Sequence, residues 1–226
     1  MTLRRFSLTA PLVLGLLLSS AHAAPLPCPL AAKLDINTYL TLSLEQWSEA
    51  DQDQGSAAYA ECQASQLTDT LGNSPQLRER IVKLRTLYRT LRELEGSLAY
   101  AMAGGGTMHS HAVPRSYPEI EGTLSSVAAL VLSPVGGQTA GRFTLSLNAS
   151  KKAFEDRIKA LKVWKPKAAA STSAYDAKTF GADVTRYAQA GAELMKLLGS
   201  KGDAATAAAY LPLQSPLFLD EYLREF

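Results

Sequence analysis

Residues 74–106 read SPQLRERIVKLRTLYRTLRELEGSLAYAMAGGG, and this run decides the fold. Leu77, Ile81, Leu84, Tyr88, Leu91, Leu98 and Met102 recur at alternating intervals of four and three, which places them on one stripe of an α-helix. Ser74 suits an N-cap, and Pro75 fits the first helical position, where its missing N–H costs nothing. Gly104-Gly105-Gly106 closes the helix. One position on the stripe is ionisable, Glu95. Arg92 and Arg89, one and two turns earlier, can neutralise it locally or across a bundle. A carboxylate on such a stripe is either half of a structural ion pair or part of a groove used by a partner, and both readings stay open.

The flanking segments repeat the helical pattern. Ile36, Leu40, Leu44 and Trp47 predict a helix over 36–52, Gly55-Ser56 interrupts it, and Ser56 caps a second helix to about Leu71. After the glycines, a loop of about 12 residues carries Thr107, Met108, His109, His111, Pro114 and Pro118. A fourth helix then runs from Pro118 to Leu132, with Ile120, Leu124, Val127 and Val131 inward. Pro134-Val135-Gly136-Gly137 breaks the chain, so residues 24–133 read as one helical module, 134–141 as a linker and 142–226 as a C-terminal helical region. RFTLSLN at 142–148 alternates and could be a short strand, whereas Ser150 to Trp164 is helical. Ser173 and Asp176 form a capping-box pattern before a long helix with Phe180, Val184, Tyr187, Leu194 and Leu198 on one side. Gly191 shares that side, which suits close approach of a neighbouring helix. Gly199 and Gly202 end it, and Ser215-Pro216 opens a short last helix with Leu219, Tyr222 and Phe226. The expected class is all-α: a bundle of about four N-terminal helices plus a helical C-terminal region.

The first 23 residues have the three parts of a secretory signal in order. Arg4 and Arg5 give a positive start, Leu12–Leu18 an apolar run too short to span a bilayer, and Ala21-His22-Ala23 the small residues for cleavage. The chain is therefore expected in the periplasm, in the cell envelope or outside the cell, not membrane-spanning once the signal is removed. Those two arginines account for the whole excess of 23 basic over 21 acidic residues. The mature chain is formally neutral and lacks the electrostatic footprint of a nucleic-acid binder. Cys28 and Cys62, both in the exported part, suggest one disulfide. It would close a loop of about 35 residues, worth roughly 3–4 kcal/mol.

Catalytic signatures are scarce. The sequence holds no GxSxG elbow, no HExxH, no phosphate-cradling GxxxxGK[ST] and no CxxC. Gly104–Gly106 follows a helix, whereas a phosphate loop precedes one, so it reads as a C-terminal cap and connector. The mature chain has only His109 and His111, both in one loop with no acid immediately beside them. In an extended segment their rings point to one side and, with Glu119 or Glu121 as third ligand, could hold a transition metal; the alternative is a solvated loop. The reading is a non-enzyme with no cofactor.

One stretch has a family likeness. Residues 89–124, RTLRELEGSLAYAMAGGGTMHSHAVPRSYPEIEGTL, resemble the N-terminal module of LprI-like lysozyme inhibitors, which also occurs in many exported bacterial proteins. Arg92, Glu95, Gly105, Gly106 and Thr107 carry the match, and Glu121, Thr123 and Leu124 fit more loosely. Family members place a cysteine just after the glutamate, where this chain has Gly96, and another near Ser116–Tyr117, so one family disulfide is missing. The resemblance implies a protein that binds a macromolecular partner, a lysozyme-type hydrolase or another cell-envelope protein. The partner-facing set is then Arg92, Glu95, Gly105, Gly106, Thr107, His109, His111 and Arg115, with the Gly104–Arg115 loop offering cations to an acidic cleft. Two other readings remain: an envelope metal- or small-ligand-binding protein using His109 and His111, and a structural envelope protein.

Overall fold

The computed structural model describes residues 49–104, 108–133, 141–165, 176–214, 216 and 219–224. The expected signal peptide, Cys28, most of the helix expected over 36–52 and the 134–140 break lie outside them. The described residues form seven helices and no strand, so the all-α class holds. They are α1 (Glu49–Thr70), α2 (Pro75–Met102), α3 (Met108–Leu132), α4 (Gly141–Val163), α5 (Ala177–Leu198), α6 (Ala204–Gln214) and α7 (Leu219–Arg224).

Helix α2 is the axis of the molecule. Its stripe is buried as the 4-3 spacing requires, from Ile81 through Leu84, Tyr88, Leu91 and Glu95 to Leu98. Pro75 opens it, although the Ser74 side chain makes no capping hydrogen bond. Gly104 follows its end in the left-handed region (φ 74°), where a side chain would be strained. Helix α2 packs on α3 and α5, α1 packs on α3, and α6 lies against α3 and α4. One apolar core runs through all of them, from Leu67 on α1 to Leu219 on α7.

Four expectations need correction. Gly55-Ser56 does not interrupt α1, which passes through both. A single glycine costs a helix only about 1 kcal/mol, and the alanines at 57, 58 and 60 restore it. The long loop after the glycines is a helix: α3 starts at Met108 and contains Pro114 and Pro118. Those prolines are four apart, so their rings and missing N–H groups share one face while the rest of the backbone keeps its ladder. The 142–148 segment is helical, because Leu147, Phe154, Ile158 and Leu161 bury one helical stripe. A strand would have put Leu145 on the face of Leu147, but Leu145 is 72% exposed and Leu147 2%. Finally, α6 has no counterpart among the expected elements. Its sequence AATAAAYLPLQ is apolar on nearly every side, as befits a helix wedged into the core, and therefore shows no stripe.

Helix α5 starts three residues later than a Ser173–Asp176 capping box implies: Asp176 is itself the N-cap, and its carboxylate accepts from the Thr179 N–H at 2.7 Å. Ser173 lies outside the described residues. Gly191 is the contact point with α4: a Cβ there would fall 2.0 Å from Cζ of Phe154. Phe154 also packs on Tyr187, ring centroids 5.2 Å apart. No helix of the described residues is long and apolar enough to cross a membrane.

Candidate functional site

Three polar clusters stand out against the apolar bundle. The first is built on Glu95. Its side chain is 1% exposed and that of Arg92 3%. Arg92 Nη1 donates to Glu95 Oε2 at 2.9 Å, one helical turn away. The other carboxylate oxygen accepts the hydroxyl of Tyr187 on α5 at 2.8 Å. Arg157 on α4 reaches the same hydroxyl at 3.4 Å and the Leu213 carbonyl at 3.1 Å. Its guanidinium also grips Asp220 on α7 in a two-point pair of 2.7 and 3.1 Å. Five helices are thus tied through one chain of hydrogen bonds, buried except at its Asp220 end.

The ionisation of this cluster follows from its burial. Burial is the larger reason that the Tyr187 hydroxyl is pushed well above the ordinary tyrosine range, and the Glu95 charge adds to it. Burial is the largest single influence on Arg157 and works against its charge, but the hydrogen bond to Asp220 together with the electrostatic pull of Tyr187, Asp220 and Glu95 outweighs it and holds the guanidinium above its ordinary value. Tyr88, which donates to the Ala209 carbonyl on α6, is likewise pushed up by burial.

A second cluster joins α2 to α3 and α1. Glu121 is fully buried and accepts Arg85 through Nε at 2.8 Å and Nη2 at 2.9 Å. Arg89 adds a bond to it at 3.2 Å and also pairs with the exposed Glu61. The guanidinium of Arg89 lies over the Tyr117 ring, 4.9 Å from its centroid. Arg89 therefore does not serve Glu95. With both its oxygens taken by arginines, Glu121 is not placed to complete a metal site with the histidines.

The third cluster sits at the edge between α1 and α3, beside the start of α3. Asp53 on α1 bonds His111 Nδ1 with one oxygen and Arg115 Nε with the other, the latter at 2.8 Å. These side chains are only partly covered. Nearby on α3, Glu119 is exposed and lies 3.8 Å from Arg92 Nη2.

The eight residues expected to face a partner thus divide. Arg92 and Glu95 are interior and hold helices together, so burial decides for the structural half of the reading given to Glu95. His111 and Arg115 come together at an accessible edge, gathered by Asp53, a residue the sequence did not single out. Gly105, Gly106, Thr107 and the side chain of His109 lie outside the described residues. Cys62 is half-buried on α1. Among the described residues no group of three or more metal-ligating side chains comes together.

No family model matches the chain. No curated protein and no solved structure matches it either.

Proposed function

We propose that this chain is an exported, non-catalytic binding protein whose partner meets the α1–α3 edge around His111 and Arg115. The carrying observation is the sharing of Asp53 by His111 and Arg115. One carboxylate holds an imidazole and a guanidinium side by side at a partly exposed edge. The guanidinium brings a fixed positive charge, and the imidazole sets a second polar group beside it. An edge of this kind suits an acidic cleft, and the resemblance over 89–124 points to a lysozyme-type hydrolase as the partner. The signal-like start places the encounter in the periplasm, in the envelope or outside the cell. A Cys28–Cys62 bridge, supported by the even cysteine count in an exported chain, is part of this reading and would tie the N-terminal segment to α1.

The test is a turbidity assay of bacterial cell-wall lysis with several lysozyme types and excess purified mature protein. Slowed clearing that His111→Ala/Arg115→Ala weakens by about tenfold or more fits the loss of a charged hydrogen-bonding contact. Undiminished lysis with every lysozyme removes the inhibitory reading.

A metal-binding alternative starts from the same His111–Asp53 contact, an imidazole held by a carboxylate. Calorimetry with zinc, copper and nickel on the parent and on His109→Ala/His111→Ala separates the two. Heat in the parent that the double variant lacks would favour metal over protein partner.

A further inference from the structure

At the opposite end of α2 from that edge, its first turns and the end of α5 bound an open cleft of about 560 Å³. Gln76, Glu79, Arg80 and Lys83 form one wall, and Leu197 to Lys201 the other. Helix α2 is 28 residues long, roughly 40 Å from end to end, and the two regions lie towards its opposite ends.

The charges in the cleft do not cancel. Glu79 is taken by Lys83, 2.6 Å away, and that ammonium holds its carboxyl below the usual carboxylate range. Among the described residues, Arg80 and Lys201 on the two walls have no carboxylate within ion-pair distance. The carbonyl end of α5 would oppose a bound anion, but two of the carbonyls there already have donors. Tyr210 Oη lies 3.1 Å from the Gly199 carbonyl and 3.4 Å from that of Met195, and the Gly199 N–H also bonds Met195. Two cations without a carboxylate partner therefore line one cleft far larger than a bare oxyanion, with the Leu197–Leu198 wall beside them.

We propose that this cleft binds a small organic phosphate: the tetrahedral anion between Arg80 and Lys201, its organic body against Gln76 and the Leu197–Leu198 wall. Arginine offers the planar fork that takes two phosphate oxygens, and lysine a point charge for a third. The volume lies in the range of small-molecule sites. The proposal is independent of the α1–α3 edge and of any lysozyme.

The experiment is a titration of the full mature protein followed by backbone amide shifts, with glucose 6-phosphate, inorganic phosphate and glucose as probes. Saturable shifts at Gln76, Lys83, Gly199 and Ser200 are expected with both phosphates, with tighter binding of glucose 6-phosphate and none of glucose. Arg80→Gln and Lys201→Gln should each weaken binding by about tenfold, the scale of one lost charged hydrogen bond. Lys159→Gln, a surface change on α4, should leave it unchanged. Raising ionic strength to about 1 M should weaken binding of both phosphates, since charge attraction supplies it. Amide spectra of the variants that match the parent outside the cleft establish that they fold. Absence of saturation with either phosphate, or equal affinity in an Arg80→Gln/Lys201→Gln variant that folds, would overturn the assignment. Equal binding of inorganic phosphate and glucose 6-phosphate would overturn the organic-body part of it.

Discussion

Truncating Glu95 to alanine isolates what the buried network contributes. The change leaves Arg92, 3% exposed, without the carboxylate 2.9 Å from its Nη1, and takes away the acceptor of the Tyr187 hydroxyl. Breaking a buried ion pair by removing one partner costs about 3–5 kcal/mol, because the surviving charge stays desolvated. The exposed Glu119, 3.8 Å from Arg92 Nη2, can swing closer and recover part of this, so about 3 kcal/mol is expected. In urea unfolding followed by helical circular dichroism, with a slope of about 2 kcal/mol per molar, the midpoint should fall by about 1.5 M at unchanged slope. Glu95→Gln keeps an acceptor for Tyr187 and should fall between parent and alanine. The double change Arg92→Met/Glu95→Leu removes both charges and should recover most of the loss. A Glu95→Ala midpoint within experimental error of the parent would refute the reasoning, as would a double variant less stable than Glu95→Ala.

Gly191→Ala should lower stability by about 1–3 kcal/mol through overpacking, since the new methyl lands on the Phe154 ring, and Phe154→Leu should relieve it in the same unfolding assay. Asp220→Ala strands the buried Arg157 guanidinium, so α7 should detach and limited proteolysis should trim the C-terminal residues faster than in the parent. Alkaline titration tests the tyrosines. Tyr88 and Tyr187 keep their protons in the fold to higher pH than in the unfolded chain, so their contribution is complete below the ordinary value of 10.0 and is lost as pH rises above it. Each should remove about 1.4 kcal/mol per pH unit in that window, and Tyr187→Phe should halve the slope due to the pair.

The residues of α2 explain why so much of the fold was legible. Its stripe has the 4-3 spacing of a half-buried helix, a proline at one end and glycine at the other, and every local signal agrees. The pairing of Arg92 with Glu95 was legible for the same reason, being one turn apart. The rest of the network was not. Tyr187 lies 92 residues from Glu95, and Asp220 lies 63 from Arg157, so no local pattern connects them. Helix α6 escaped because a helix apolar on nearly all sides, down to the half-exposed Leu211, has no polar face to set its period. The start of α3 escaped because Pro114 and Pro118 resemble a loop when the packing that holds them is unknown. Asp53 drew no attention because it becomes informative only where α1 meets α3.

The closure of the Glu95 network by Tyr187, Arg157 and Asp220 sets an order of events during synthesis. A chain made from its N-terminus presents Arg92 and Glu95 well before the hydroxyl and guanidinium that complete their environment. Asp220, near the far end, comes last. Until then α2 carries a carboxylate on the stripe that should be seeking burial, which penalises premature collapse around it. The same side chains that lock the finished bundle thus hold back its closure while the chain is still emerging.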